Sequence, residues 1–189
     1  MKIILASGSP RRSDLMQMAG FTFEVRVKNT PETHPEGVIT EDIPLHLAER
    51  KASAFLDEIS DGEVIVAADT IVVLNDKIFE KPQHREEAVV MLTALSGQTH
   101  KVVTGVCLLS KEKKITFREE TNVTFNALSA SEIANYVDTY KPYDKAGAYA
   151  CQEWIGAVAI AKFEGDYFNV VGLPINKVYR YLKEFGINN

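Results

Sequence analysis

The sequence predicts an α/β fold: a mixed β-sheet with flanking helices. Apolar runs of strand length interleave with stretches of helical periodicity along the whole chain. Several of the runs are joined by short polar turns, which makes those neighbours antiparallel hairpin partners. Hairpin-linked strands favour a mixed sheet over an all-parallel one.

The elements read in order as follows. Residues 2–6, Lys-Ile-Ile-Leu-Ala, form a strand. A helix follows, with apolar Leu15, Met18 and Ala19, a stop at Gly20, Pro10 in its first turn and Ser9 as its cap. Residues 22–42, rich in Pro, Glu and Thr, read as a long irregular connection, and Pro31 and Pro35 exclude regular helix around Glu32. Residues 43–59 read as an amphipathic helix whose apolar face, Leu47, Ala48, Ala52, Phe55 and Ile59, is interrupted by Lys51. The apolar run 64–74 is long for one buried strand, so a bend is expected at Asp69. Asn75-Asp76-Lys77 is turn chemistry before a short return strand at 78–80. A helix over 86–95 stops at Gly97. Residues 102–109 and 115–125 are strands around a charged Lys111-Glu112-Lys113-Lys114 turn. Ser129-Ala130-Ser131-Glu132 fits a capping box that opens a helix to Tyr140. After a polar loop over 141–152, residues 155–163 and 167–171 read as a hairpin across Glu164-Gly165-Asp166. A last helix runs over 174–186.

Composition sets bounds. The 189 residues suit one domain over 1–189, or two closely packed lobes. Hydrophobic residues at 46% and charged residues at 25% allow an ordinary globular core. A net charge of −5 gives no basic excess for a nucleic-acid backbone, so no nucleic-acid partner is expected. A local basic pocket in such a protein suits a small anionic ligand. Cys107 and Cys151 match no zinc or redox spacing and read as buried free thiols in a reducing compartment. The apolar run at the N-terminus is too short for a signal-peptide core, and no stretch reaches membrane-spanning length. The expectation is a cytoplasmic protein with no membrane partner.

The first candidate site is Ser7-Gly8-Ser9-Pro10-Arg11-Arg12, where strand becomes helix. Two hydroxyls, backbone N–H groups and two guanidinium groups gather at a helix N-terminus, a place suited to a polyphosphate. A capped helix with two solvated arginines is the plain alternative. Neither G-x-x-x-x-G-K-[ST] nor G-x-G-x-x-G is present, so P-loop and dinucleotide-fold chemistry are excluded. Asp69 is the sharpest single residue. A carboxylate inside an apolar run is costly unless it is paired, hydrogen-bonded or bound to metal. It reads as a metal ligand or general base, or as a bend aspartate accepting backbone N–H bonds. Glu32, Lys51 and Lys81 are weaker alone, and snorkelling is the commoner role for a lysine such as Lys51. The loop holding Asp144, Lys145, Tyr149 and Gln152 offers a side-chain amide with donor and acceptor together. His34, His46, His84 and His100 show no metal-ligand spacing, and no constellation supports Ser/His/Asp or Cys/His catalysis.

Taken together, these segments resemble the Maf family of nucleoside triphosphate pyrophosphatases. The matching stretches are Leu5-Ala6-Ser7-Gly8-Ser9-Pro10-Arg11-Arg12, Ala68-Asp69-Thr70, Lys81-Pro82, Leu95-Ser96-Gly97-Gln98-Thr99-His100, Thr104-Gly105-Val106, Asp144-Lys145-Ala146-Gly147-Ala148-Tyr149 with Gln152, and Asn169-Val170-Val171-Gly172-Leu173-Pro174. They occur in the family's order and span nearly the whole chain. The resemblance implies an elongated fold, similar to inosine triphosphate pyrophosphatases, with a cleft between two lobes. It also implies hydrolysis of a nucleoside triphosphate to monophosphate and pyrophosphate, a divalent ion (Mg2+ or Mn2+), and a homodimer as the family's expected assembly. Arg11, Thr70 and Gln152 match the specificity positions of the dTTP/UTP branch. The branch acting on 7-methyl-GTP carries a different set, with tryptophan in the SxSP motif. Two departures stand out: Glu32 is alone where the family often has two acidic residues, and Cys151 replaces a larger aliphatic residue.

The resemblance further assigns Ser7, Ser9, Arg12, Lys51 and Lys81 to a triphosphate cradle. It makes Asp69 the proton acceptor, and Asp69 with Glu32 the metal ligands. Attack at the α-phosphorus builds charge on oxygens that such cations would meet. Nucleotide-pool house-cleaning is the implied role. The alternatives are a 7-methyl-GTP-type pyrophosphatase, or a nucleotide-binding regulator of septum formation without turnover.

Overall fold

The computed structural model describes residues 1–31, 33 and 37–187. The candidate Glu32, and also His34, lie outside the described residues. In chain order the elements are β1 (Lys2–Leu5), α1 (Pro10–Met18), β2 (Phe23–Val25), a 3-10 turn (Thr40–Asp42), α2 (Ile43–Ser53), β3 (Glu63–Leu74), β4 (Lys77–Phe79), α3 (Arg85–Leu95), β5 (Thr99–Leu109) and β6 (Lys114–Phe125). They continue with α4 (Ala130–Tyr140), a 3-10 turn (Ala146–Ala148), α5 (Trp154–Ala159), β7 (Ile160–Glu164), α6 (Tyr167–Val171) and α7 (Ile175–Glu184).

The strands form one seven-stranded sheet in the order β2-β1-β3-β5-β6-β7, with β4 on β3. It is mixed, as the hairpin turns require. Strand β1 pairs in parallel with both β2 and β3, Ile3 lying opposite Phe23 on one side and Val64 on the other. Strands β3 and β4 are antiparallel, as are β6 and β7. The β3–β4 turn places Asn75 at φ 49° and Asp76 at φ 61°, the left-handed pair that a tight hairpin needs.

The chain divides into two compact units. The first comprises Met1–Asp69, Thr104–Glu119 and Gly172–Asn189; the second comprises Thr70–Val103 and Glu120–Val171. In the first, Ile4, Ile65, Ala67 and Cys107 of the sheet pack against Ala48, Ala52 and Phe55, on and just past α2. In the second, Val72, Leu74, Val102 and Val123 pack against Leu92 and Leu95 of α3, Ile133 and Val137 of α4, and Ile155 of α5. Gly105 lets α2 approach β5: a Cβ there would stand 2.1 Å from the Leu45 nitrogen.

Three local expectations need correction. The run 63–74 is one continuous strand, so Asp69 sits within a ladder rather than at a break. Helix α2 ends at Ser53, before the expected 59. The Ala54 carbonyl accepts from Lys28 Nζ at 2.8 Å, and Glu58 N–H turns back to the Phe55 carbonyl. Tight turns then carry Phe55 and Ile59 into the same core. The third correction is the hairpin proposed over 155–171. Strand β7 pairs instead with β6, and both flanking apolar stretches are short helices. Gly156 brings α5 against the Cys151 carbonyl, where a Cβ would come to 1.8 Å. The Asp166 carboxylate accepts from Phe168 N–H, and the Asn169 amide donates to the Val102 carbonyl and Thr121 Oγ1, which holds 167–171 as a helical turn. Short apolar runs do not distinguish strand from helix by periodicity, and tertiary partners decide.

Candidate functional site

The head of α1 gathers polar groups as the sequence suggests. Ser7, buried at the end of β1, accepts at Oγ from the Ser9 N–H (3.3 Å) and from Arg12 Nη1 (3.2 Å). Arg12 Nη1 also donates to the Ala68 carbonyl on β3 at 2.8 Å, and Arg12 Nε donates to the Gly172 carbonyl at 2.8 Å. One guanidinium thus ties together β1, β3 and the start of the last segment of this unit. Ser9 occupies the N-cap, but its hydroxyl makes no cap bond, contrary to the expectation from sequence. The helix end is therefore not closed by that side chain, which suits a helix terminus receiving an anion.

Asp69 joins the same cluster. Ile65 and Ala67 face Ala48 and Ala52, and strand alternation brings Asp69 next onto that face. There Lys51 Nζ of α2 pairs with Asp69 Oδ1. Both side chains are largely enclosed, at 19% and 14% exposure, so the pairing is what permits each charge to sit there. Lys51 is thus an ion-pair partner rather than a snorkelling side chain. Arg12 feels three influences: burial pushes its guanidinium pKa down most, Asp69 opposes that, and Arg11 adds to it. An arginine remains cationic under such pressure, so two cations and one anion are packed where strand meets helix.

Thr70 follows Asp69 on β3, and alternation turns it to the opposite face, in the second unit. Lys81 and Gln152 are also in the second unit, and both are exposed. Gln152 Oε1 accepts from Cys151 Sγ at 3.6 Å. Within the first unit, then, Ser7, Ser9 and Arg12 are joined by hydrogen bonds, Lys51 is paired with Asp69, and Arg12, held to the Ala68 carbonyl next to Asp69, feels the charges of Asp69 and Arg11.

Sequence reasoning missed Arg50, whose Nη1 donates to the Pro31 carbonyl at 2.9 Å and to the Thr33 carbonyl, holding the backbone on both sides of position 32. It also missed a polar network on the second unit. Tyr136 Oη donates to Glu153 Oε2, and the buried Lys145 Nζ lies 2.7 Å from Asp144 and 3.4 Å from Glu153. Burial and the Glu153 carboxylate push the Tyr136 hydroxyl pKa well up, so it stays protonated and donates. Asp144 and Lys145 stand out in the polar loop over 141–152, but their link to Tyr136 and Glu153 has no sequence signal.

The donor set bears on a divalent ion. Among the described residues no group of three or more His, Cys, Asp or Glu is placed to hold a metal. Asp69 contributes one carboxylate flanked by cations. One carboxylate is too few for an all-protein cage.

Comparison with known proteins agrees with this architecture. A family model described as Maf-like protein matches residues 2–185. A dTTP/UTP pyrophosphatase of Parabacteroides distasonis is 46% identical over 185 residues, covering 97% of this chain and 96% of that protein. A dTTP/UTP pyrophosphatase of Bacteroides fragilis is 47% identical, covering 97% and 95%. Among solved structures, the Staphylococcus aureus Ham1 protein aligns with TM-score 0.56 and 15% identity over 97% of this chain and 99% of that one, a likeness of fold alone. With the family's pattern matched almost from end to end, the chain belongs to the Maf family.

Proposed function

We propose that this protein is a nucleoside triphosphate pyrophosphatase that hydrolyses dTTP and UTP to the monophosphate and pyrophosphate. The observation that carries the reading is the Lys51–Asp69 ion pair beside the Ser7–Arg12 hydrogen bond, a carboxylate set among cations and hydroxyls suited to phosphate. The names of relatives at 46–47% identity supply the substrate class.

In this reading Ser7, Ser9, Arg12, Lys51 and Lys81 bind the triphosphate, and Asp69 orients and deprotonates the attacking water. Lys51 does two jobs. In the free protein it neutralises Asp69, and with substrate present its ammonium turns to a phosphate oxygen and releases the carboxylate to act as base. Arg12 is held by carbonyl oxygens on two segments, so it meets developing charge without reorganising. Asp69 and Glu32 would hold a divalent ion, Mg2+ or Mn2+, which when bound neutralises phosphate charge. Arg11, Thr70 and Gln152 read the base. The Gln152 amide matches the donor and acceptor on a uracil or thymine edge and does not sense the 5-methyl group.

The test is pyrophosphate release by purified protein with Mg2+ or Mn2+ and each of dTTP, UTP, dATP, dGTP and 7-methyl-GTP. Turnover of dTTP and UTP well above the other three is expected. Binding of dTTP without pyrophosphate release would overturn the hydrolase reading, and a preference for 7-methyl-GTP would overturn the base assignment alone.

A further inference from the structure

We propose that Tyr136 is a positioning residue for base recognition, acting with Glu153 and Lys145 to fix the loop that presents Gln152. The inference rests on the reading of Gln152 as a base reader.

The difficulty it answers is physical. Gln152 is exposed and sits on a loop between a 3-10 turn and α5. A glutamine there has three side-chain torsions, and its amide can present either edge, so it discriminates between bases only if its backbone is held. The structure ties the loop on both sides of that position to one oxygen, through backbone at 150 and through a side chain at 153. Tyr136 Oη accepts from the Ala150 N–H at 3.2 Å and donates to Glu153 Oε2. Residues 150 and 153 bracket Gln152, so a single hydroxyl on α4 spans the reading position.

Two further contacts complete the brace. Glu153 Oε1 faces Lys145 Nζ at 3.4 Å, and Lys145 is only 8% exposed. The Cys151 carbonyl rests on Gly156, a position that admits no Cβ. Tyr136 itself is fully buried and stacks on Tyr140 (5.0 Å between ring centres) and Trp154 (6.5 Å), so its hydroxyl has little freedom to wander. Enclosing a lysine, a glutamate and a phenol is a costly way to anchor a loop, and apolar packing of similar volume is often at least as stable. Directional bonds provide what apolar packing does not, a defined orientation of the residues they join. None of these groups belongs to the cluster at the head of α1, so hydrolysis itself does not account for them.

The experiment compares wild type, Tyr136→Phe, Gln152→Ala and the double variant, measuring kcat and KM for dTTP and for dGTP, with thermal unfolding alongside. Tyr136→Phe keeps the ring and removes the hydroxyl. It should raise KM for dTTP with kcat little changed, and lower the dTTP-over-dGTP ratio of kcat/KM by about three- to tenfold, the scale of one or two lost hydrogen bonds. In the Gln152→Ala background the same change should move the ratio no further. Glu153→Gln, which keeps an acceptor for Tyr136 but removes the charge facing Lys145, should lower the ratio in the same direction by a smaller factor. If Tyr136→Phe does not fold, the Glu153→Gln ratio decides. An equal loss on both nucleotides, or a fall in the double variant that multiplies those of the single variants, would overturn the positioning role. Should Gln152→Ala leave the ratio intact, the base-reading role fails and the inference falls with it. A wild type inactive on dTTP would refute the hydrolase reading itself.

Discussion

Acidification should destabilise the fold through one imidazole, that of His100. The ring is 2% exposed and lies edge-on to Phe125 and Tyr149, with centroids 4.9 and 5.3 Å away. Its Nε2 is 2.7 Å from the Tyr149 hydroxyl, while Nδ1 is buried with no partner among the described residues. Burial pushes the Tyr149 hydroxyl pKa up, so the phenol keeps its proton and can donate to Nε2, which assigns the remaining imidazole proton to Nδ1. Burial also drives the His100 pKa down to about 4 from the usual 6.5. Between those values the unfolded chain binds a proton that the folded chain refuses, so stability is complete above 6.5 and is lost as pH falls. The loss is about 2 kcal/mol by pH 5 and about 3 kcal/mol by pH 4, at roughly 1.4 kcal/mol per pKa unit. Urea unfolding followed by circular dichroism at half-unit pH steps measures it, with His100→Gln as the reference. Carboxylates such as Glu24, held down to about 2 by Arg26 and Lys2, titrate alike in both proteins and cancel in the difference. The wild-type curve should fall towards the variant's between pH 6.5 and 5 with no change in m-value. Parallel curves across that window would show that the folded protein accepts the proton on His100, and the argument from burial would be wrong.

Asp69→Asn should fold and lose nearly all pyrophosphate release at saturating metal; comparable turnover would remove Asp69 from the role of base. Arg12→Ala should cost about 2–4 kcal/mol in kcat/KM for dTTP, the scale of losing a charge-stabilising donor, and an unchanged kcat/KM would place it outside the cradle. Gly105→Ala should destabilise by about 1–3 kcal/mol or more, because overpacking here meets backbone rather than a flexible side chain; a midpoint within error of wild type in urea would contradict that. Burial pushes the Cys107 thiol pKa up to about 12, so a Cys151→Ser protein should not react with a disulfide reagent at pH 8 until unfolded.

Legibility in the sequence tracked the range of the interaction concerned. The Ser129 capping box, with Glu132 reaching back to the Ser129 N–H, is a four-residue device and was read whole. Pro10 at the start of α1 was equally local. Lys51 and Asp69 each stood out as charges in apolar settings, yet their pairing was not legible. It depends on α2 crossing the β1–β3 face, a matter of sheet order and not of spacing. Segment 155–171 was misread because the partners that hold its last turn, Thr121 and Val102, lie elsewhere in the chain. Tyr136 was passed over for a related reason: its hydroxyl serves a loop that begins after its helix has ended, so no helical periodicity reports it.

The Arg12 tie to the Gly172 carbonyl joins residues 160 positions apart. At about 5–20 residues per second on the ribosome, roughly 8–32 s separate the synthesis of its two ends. Throughout that interval the loop at the head of α1 exists without one of the two carbonyls that aim its guanidinium. A nascent or truncated chain therefore carries the serines and arginines of the motif without the tie that completes their arrangement.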